Sequence, residues 1–563
     1  MSGKSALTRN GAAALAAAAA GAVTGSGFLP GHSGWPLWFS LAPLFLVFMG
    51  RSPAGAFLTG WLFGFCAWAA GMSWLAAQIS GYLGVPSWAG LAVFSLVCAL
   101  HGLSFACFAF TVRFTARLLE KRLDWGEDTA LFCAAVPAMA AVEQFFPLLF
   151  PVYLANTQVF HPPAIQIAEL TGPSGPLLLI IASNISVYLL IRAAAGRGNG
   201  KTGFRRAIPA AGAALLLILA NETYGRLRMR RVGEELAALR AAGATAVVAI
   251  IQASVPVEAA AGELNNPALE LYRGMTAEAV RETGAELVIW PESVYGRIAG
   301  YEPAGGPGGT PVFTPGFRRT LLEDIPERTN ILLNSRAEPA GSAPGRGRRF
   351  NAAYTVDPEK NLTGLVRKRR LFPFGEFIPF GERFPALYRF IPRAERLSAA
   401  AGPEVVTAKA SLFDTGKKPR DLRLGVLICY EDLFPAESAA LAGKGIDLLV
   451  DISNEIGFGY DTAPRQHLAF SALRAVETRK FFLRAANTGV SAIIDPRGLV
   501  TDSLAPGVRG RLYGAVTLSD RATFYSRHEV VIRWLGPVLL AVLLFYAWLI
   551  PFVRAFVRAK EKT

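Results

Sequence analysis

Leu424-Gly-Val-Leu-Ile-Cys-Tyr-Glu431 is a short apolar run that arrives at a cysteine, with a carboxylate two residues further on. An apolar stretch of this length between polar neighbours is the pattern of a strand buried on both faces. Leu287-Val-Ile-Trp-Pro-Glu292 repeats it, closed by a proline that cannot donate to a ladder and turns the chain at an acid. Lys368-Arg-Arg-Leu-Phe-Pro-Phe-Gly-Glu376 then sets a lysine and a second glutamate around a Pro-Phe-Gly turn. Further strands are expected at 246–252, 330–334, 352–356, 448–453, 482–487 and 492–495, with helices at 267–283 and 465–480. The Gly/Pro-rich stretches 303–310 and 339–349 read as loops. Short β-branched runs alternating with amphipathic helical ones make an α/β domain of residues 221–531. Active-site groups in such a domain gather where strands give way to loops along one sheet edge.

Outside that domain the chain is of another kind. It has 563 residues, 52% hydrophobic against 18% charged, and a mean hydropathy of +0.34, which excludes a wholly soluble, disordered or fibrous protein. Apolar stretches near 10–29, 36–50, 55–77, 87–112, 129–150, 174–191, 206–220 and 532–553 approach the length that crosses a bilayer, about 20 residues. That makes about eight crossings, the second and seventh short. The expected organisation is therefore a bundle at 1–220, the α/β domain at 221–531, and a last span with its tail at 532–563. The Ala-rich first stretch is read as a retained span, because another apolar run begins almost at once.

Charge orients these spans. Lys4 and Arg9, then Arg51, then Arg113, Arg117, Lys121 and Arg122, then Arg192, Arg197, Lys201, Arg205 and Arg206, and finally Arg554, Arg558, Lys560 and Lys562 alternate with segments 30–35, 78–86 and 151–173, which hold no Lys or Arg. An even number of crossings then places both termini in the cytoplasm and exports the α/β domain. Most of the net charge of +15 lies in these connections, where it sets topology, so nucleic acid is not an expected partner. Five cysteines are too few for a disulfide framework, and Cys66, Cys98, Cys107 and Cys133 sit in apolar runs as small hydrophobes.

The three strand ends supply what acyl transfer through a thiol requires. A thiol is the best side-chain nucleophile but is mostly protonated near neutral pH, so it needs a base. Glu292, in a closed and largely apolar cleft, is the expected base for Cys429. Lys368 holds positive charge where an oxyanion develops, aided by the backbone N–H of Tyr430. Glu376 positions Lys368 or the leaving group, and Glu431 stands beside the nucleophile. His467 is read as a satisfied structural histidine, while His101 and Glu143, inside apolar spans, remain unassigned functional candidates. No ligand-spaced His/Cys cluster calls for a metal, and no cofactor is expected. Residues 372–391 interleave seven aromatics with Arg383 and Arg389. They are either a core insertion or a lid dipping into the headgroup region with Phe377 and Phe380 facing the bilayer.

Trp-Pro-Glu292, Lys368 with Pro-Phe-Gly-Glu376, and Ile-Cys429-Tyr-Glu431 resemble the Glu-Lys-Cys triad of the nitrilase superfamily. With spans on both sides of the domain, the chain over nearly its whole length is similar to the apolipoprotein N-acyltransferases of bacterial inner membranes. Gly60-Trp-Leu-Phe-Gly, Gln158, Gln166, Glu169-Leu-Thr-Gly172, Gln466-His467-Leu, Arg474, Glu477, Arg484, Asn487-Thr-Gly489 and Asp495-Pro-Arg-Gly498 carry the same likeness. The resemblance implies an αββα sandwich fused to a polytopic helical bundle. It implies an acyl chain passing from a membrane phospholipid donor, through a thioester on Cys429, to the α-amine of the S-diacylglyceryl cysteine of a lipoprotein acceptor. A monomer is expected. Two departures stand out. The family's Trp after Gln252-x-x-x-Pro256 is missing, and the Ser453-Asn-Glu-Ile-Gly-Phe-Gly459 loop has Glu455 for Asp and Gly457 for Trp. Asn454, Gly457 and Phe458 form the expected substrate loop, and lost aromatics imply altered substrate preference. The rival readings are a membrane-anchored nitrilase-type amidohydrolase and a non-catalytic scaffold.

Overall fold

The computed structural model describes residues 2–31, 34–196, 201–255, 267–294, 298–302, 310–312, 325, 329–339, 348–409 and 421–560. It divides into two compact units, Met1–Arg226 with His528–Thr563, and Leu227–Arg527. Most of the two Gly/Pro-rich stretches, 303–309 and 340–347, lies outside the described residues.

The first unit is helical: α1 (Ser2–Ser26), α2 (Ala42–Phe48), α3 (Pro53–Gly71), α4 (Leu75–Leu83), α5 (Ser87–Leu123), α6 (Glu127–Phe145), the single turns α7 (Pro162–Ile165) and α8 (Ala168–Thr171), and α9 (Ser174–Ala194). Helix α10 (Lys201–Ala241) runs on past residue 220 without a break. Among the described residues five helices are long and apolar enough to cross a membrane: Pro53–Gly71, Ser87–Leu123, Ser174–Ala194, Ala207–Ala241 and Phe524–Ile550.

The expected second crossing, 36–50, is not a continuous helix. It is a 3-10 turn, Trp35–Trp38, followed by α2, because Pro36 and Pro43 each remove a backbone donor. Seven residues of helix rise about 10 Å, well short of a hydrocarbon core. The chain nevertheless returns there. Gly21 lies against the Phe63 carbonyl and Gly25 against that of Ala67, so α1 and α3 run parallel and the link between them must come back. Broken backbone survives at such depth only when buried in protein and paired. Leu37, Leu41, Leu44, Phe45 and Phe48 are wholly buried. Asn184 of α9 accepts from the N–H groups of Leu41 (2.7 Å) and Ala42 (3.0 Å) and donates to the Leu37 carbonyl (2.6 Å).

Arg113 Nε donates to the Arg51 carbonyl at 3.0 Å, and Arg192 meets Asp128, in the first turn of α6, at 2.9 Å. His101 and Glu143 are satisfied inside the unit. His101 Nε2 accepts from the N–H groups of Leu149 (3.1 Å) and Phe150 (3.4 Å), and Glu143 accepts from that of Leu154 (2.7 Å).

The second unit holds two sheets. The first runs β14 (Gly510–Thr517), β1 (Thr245–Gln252), β2 (Leu287–Ile289), β5 (Asn330–Pro339), β3 (Ile298–Glu302), β4 (Thr310–Val312), with β6 (Phe350–Val356) on β5 and β7 (Leu362–Arg367) on β6. The second runs β13 (Val500–Leu504), β12 (Ser491–Ile494), β11 (Phe481–Ala486), β10 (Leu448–Ser453), β9 (Leu422–Ile428), β8 (Val406–Ala408). Val248, Ile250, Ile289 and Leu332 from one sheet meet Val426, Ile428, Val450, Ile452 and Leu483 from the other in a shared core. The outer face of the first sheet packs Ala249, Val288 and Trp290 on Leu269, Tyr272 and Ala279 of α11 (Pro267–Thr283). Helices α12 (Pro435–Gly443) and α13 (Thr462–Thr478) pack against β9 and β11 of the second sheet. The layering is αββα. At the centre of each sheet the strands are parallel (β1, β2, β5 and β9, β10, β11), so their C-terminal ends open on common edges.

A side chain on Gly60 of α3 would place its Cβ 2.3 Å from the Phe105 carbonyl of α5, whereas one on Gly81 meets open space. Gly60→Leu should therefore force the two helices apart at a cost of about 1–3 kcal/mol and lower the Tm in detergent, with Gly81→Ala unchanged. Equal Tm values for both would mean that α3 and α5 do not pack through this glycine.

Candidate active site

Glu292 follows β2, Lys368 follows β7 and Cys429 follows β9. Glu292 and Lys368 are buried, while Cys429 keeps a partly open face. Cys429 has φ of +55°, a left-handed conformation unusual for a side chain with a Cβ, at the point where β9 turns into the 3-10 segment Cys429–Leu433. Such strain persists only where the surroundings enforce it.

Lys368 Nζ lies 3.5 Å from Glu292 and 3.0 Å from Glu376. Burial alone would push its pKa down; the Glu376 and Glu292 carboxylates outweigh burial and raise it, so the ammonium stays charged. Glu376 is held below the ordinary carboxylate range: burial works against this, and Lys368, the Asn351 amide and the Phe372 N–H (2.7 Å) overcome it. The Cys429 thiol is pushed well up, by burial first and the Glu292 charge second, against the pull of Lys368 and the Ser453 hydroxyl. Cys429 thus rests as a protonated thiol.

The cleft around Glu292 is polar, not largely apolar as expected. Asn351 Nδ2 donates to Glu292 (2.6 Å) and to Glu376 (2.7 Å), and the Asn454 N–H donates to Glu292 at 3.2 Å. Asn351 is fixed in turn by Asn334 Nδ2 (2.7 Å), whose own Oδ1 accepts from the Ser293 N–H (2.9 Å). Sequence reasoning missed Asn351 and Asn334. Their only signal was an amide in each of two otherwise buried strands.

Glu431 sits two residues beyond Cys429 in the same 3-10 segment. It accepts from the N–H groups of Arg369 (2.6 Å), Arg370 (3.0 Å) and Ile428 (2.9 Å), tying the end of β9 to the segment after Lys368. Burial, and then the Glu437 charge, raise its pKa to about 7. Tyr430 packs edge-on against Phe372 (5.4 Å between centroids) and Phe434 (5.1 Å), and Phe372 meets Phe458 at 6.0 Å. Asn454 does not line a wall with its side chain, whose Oδ1 accepts from Asn487 at 3.4 Å. Gly457 borders open space. Phe380 is 78% exposed, as are much of Phe384 and Phe390, but Phe377 is half-buried and turned partly into the fold. The segment 257–261, where the missing Trp was noted, lies outside the described residues.

His467 bridges two carboxylates, with Nε2 on Asp432 (2.6 Å) and Nδ1 on Glu455. Arg484 reaches Asp432 (3.2 Å), Asp451 (2.5 Å) and Glu455 (2.5 Å) from the same buried cluster. Asp432, Asp451 and His467 have ligand atoms close enough together for a cation, but the Arg484 guanidinium already supplies positive charge to both acids. Burial and Arg484 push the imidazole down; Asp432 and Glu455 prevail and raise it to about 9.

Two outcomes follow. Asn351→Ala strips both Glu292 and Glu376 of a donor and should lower turnover at least tenfold, read as kcat in a detergent assay; a variant as active as the wild type would remove Asn351 from the site's architecture. For His467, a folded pKa raised above the ordinary 6.5 adds stability that is complete below pH 6.5 and is lost as pH rises through about 9. The wild-type Tm should therefore fall across pH 6.5–9 more steeply than that of His467→Gln, and parallel curves would contradict a charged imidazole.

The carbon-nitrogen hydrolase family matches residues 247–525, and the apolipoprotein N-acyltransferase N-terminal domain matches residues 20–186. The apolipoprotein N-acyltransferase of Geobacter metallireducens is 29% identical over 514 residues, covering 90% of each chain. That of Azotobacter vinelandii is 32% identical over 500 residues, covering 88% of this chain and 87% of its own. Among solved structures, an amidase of the nitrilase superfamily from Nesterenkonia AN1 aligns with 52% of this chain and 98% of its own, at 18% identity and a TM-score of 0.34. Both the helical and the sheet-bearing halves are thus covered by relatives of one kind, one of them 32% identical over most of its length, and the chain belongs to the apolipoprotein N-acyltransferase family.

Proposed function

We propose that this protein transfers an acyl chain from a membrane phospholipid to the N-terminal amine of an S-diacylglyceryl-cysteine lipoprotein, by a ping-pong route through a thioester on Cys429. The observation that carries this reading is the burial of Glu292 and Lys368 in contact beside a thiol whose pKa burial and the Glu292 charge push well up. Glu292 takes the Cys429 proton as the sulfur attacks the ester carbonyl of the donor. The Lys368 ammonium and the Tyr430 N–H stabilise the oxyanion; losing one such donor typically costs about 100-fold to 1,000-fold. When the tetrahedral adduct collapses, the proton on Glu292 passes to the leaving alcohol and a lysophospholipid departs. The acceptor amine then attacks the thioester, Glu292 receives its proton, and the thiolate leaves the amide product and is reprotonated. Water has to be kept out between the two halves, since hydrolysis of the thioester would make the enzyme a phospholipase.

In this reading the chain is a monomer in the bacterial inner membrane, with both termini cytoplasmic and residues 221–531 periplasmic between the bundle 1–220 and the last span 532–563. The exposed Phe380, Phe384 and Phe390, next to Arg383 and Arg389, suit a lid at the headgroup level, rings toward the acyl chains and guanidinium groups toward phosphates. Phe458 and Phe372 line the mouth, and the open space at Gly457 leaves it wider than a large side chain would.

The test is the intact mass of the purified protein after incubation with phospholipid and no acceptor. An added acyl mass, removed by hydroxylamine and absent in Cys429→Ala and Glu292→Gln, is the expected result. No adduct, together with hydrolysis of small amides, would instead favour a nitrilase-type amidohydrolase.

A further inference from the structure

We infer that Ser453 is a further positioning and activating residue of this centre, its hydroxyl held as a hydrogen-bond donor for the Cys429 sulfur when that sulfur carries negative charge. The inference rests on the reading of Cys429 as the nucleophile. Strands β9 and β10 run parallel with Ile428 paired to Ile452, so Cys429 and Ser453 are the next residues on adjacent strand ends. Ser453 is fully buried, and its Oγ makes no well-formed hydrogen bond among the described residues. A buried hydroxyl without a partner is unfavourable and is rarely kept without a use. The dipole of this one acts in favour of the Cys429 thiolate.

The next residue points the same way. The Asn454 N–H donates to Glu292 at 3.2 Å. One strand end therefore serves both partners of the proton transfer, steadying the carboxylate through a backbone N–H and the sulfur through a hydroxyl. When the thiol proton moves to Glu292, negative charge moves from carboxylate to sulfur. The Ser453 O–H turns toward that charge and keeps its own proton. The charged groups that face the sulfur are Glu292 after β2, Lys368 after β7, Asp451 on β10 and Arg484 on β11. Changing Ser453 alters none of them.

The experiment is the pH dependence of Cys429 alkylation by iodoacetamide in the full-length protein without lipid, read by peptide mass so that the other four cysteines do not interfere. In Ser453→Ala the profile should move up by about one pH unit, with the rate near pH 7.5 about tenfold lower. The Tm should be unchanged or higher, because a buried unpartnered hydroxyl has been removed; a structural role alone would give the opposite pair of results. Ser453→Thr, which keeps the hydroxyl, should restore part of the shift. A Ser453→Ala profile that superimposes on the wild type would overturn the inference while leaving Cys429 as the nucleophile. A wild-type Cys429 inert at every pH would overturn that reading and this inference with it.

Discussion

An ammonium group that water cannot reach is the constraint around which the catalytic unit is built. Lys368 is 1% exposed, and an unpaired charge at that depth would not stay charged. It is tolerated because Glu292 and Glu376 stand beside it and Asn351 holds both carboxylates in place. Removing one member of such a group strands the others, typically at about 3–5 kcal/mol. Glu292, Lys368 and Asn351 come from the first sheet, whereas Cys429 and Asn454 come from the second. Their meeting depends on the apolar layer between the sheets keeping the two in register.

The same constraint shapes the thiol. A sulfur near one ammonium and no carboxylate would ionise at rest and be open to oxidation and futile reaction. Here burial and then the Glu292 charge oppose ionisation, and the thiol rests protonated. In the proposed mechanism, proton transfer from Cys429 to Glu292 moves charge within the cleft without changing the total, so Lys368 sees one negative neighbour replaced by another. On that mechanism the sulfur is armed only as part of the reaction.

The strand ends at Glu292 and Cys429 were legible because each closes an apolar run, Lys368 drew notice only through the Pro-Phe-Gly turn that follows it, and Leu448–Ser453 was read to the residue because it is buried throughout. The strands Leu362–Arg367, Val406–Ala408, Val500–Leu504 and Gly510–Thr517 were missed: they are short or half-exposed edge strands, and their periodicity is weak. Residues 36–50 were misread because hydropathy counts apolar side chains and takes no account of how prolines interrupt the backbone. The amide that repairs that interruption, Asn184, lies far along the chain. Asn351 was invisible for a similar reason. A lone amide in a strand acquires meaning only when two loops converge on it.

The two departures in the 453–459 loop differ in kind once the packing is known. Glu455 is one methylene longer than the aspartate in the family pattern, and its carboxylate still reaches His467 and Arg484. The space it uses is the one a Cβ on residue 489 would occupy, at 1.7 Å from Oε2, and residue 489 is glycine. The longer acid is therefore absorbed, and Asn454 keeps its N–H on Glu292. Nothing fills in for the side chain absent at Gly457, which borders open space. The loop thus keeps its N–H on the Glu292 carboxylate while leaving open space at Gly457. In this chain the divergence falls on the surface of the loop at Gly457 and spares the charge arrangement of Glu455, His467 and Arg484 behind it.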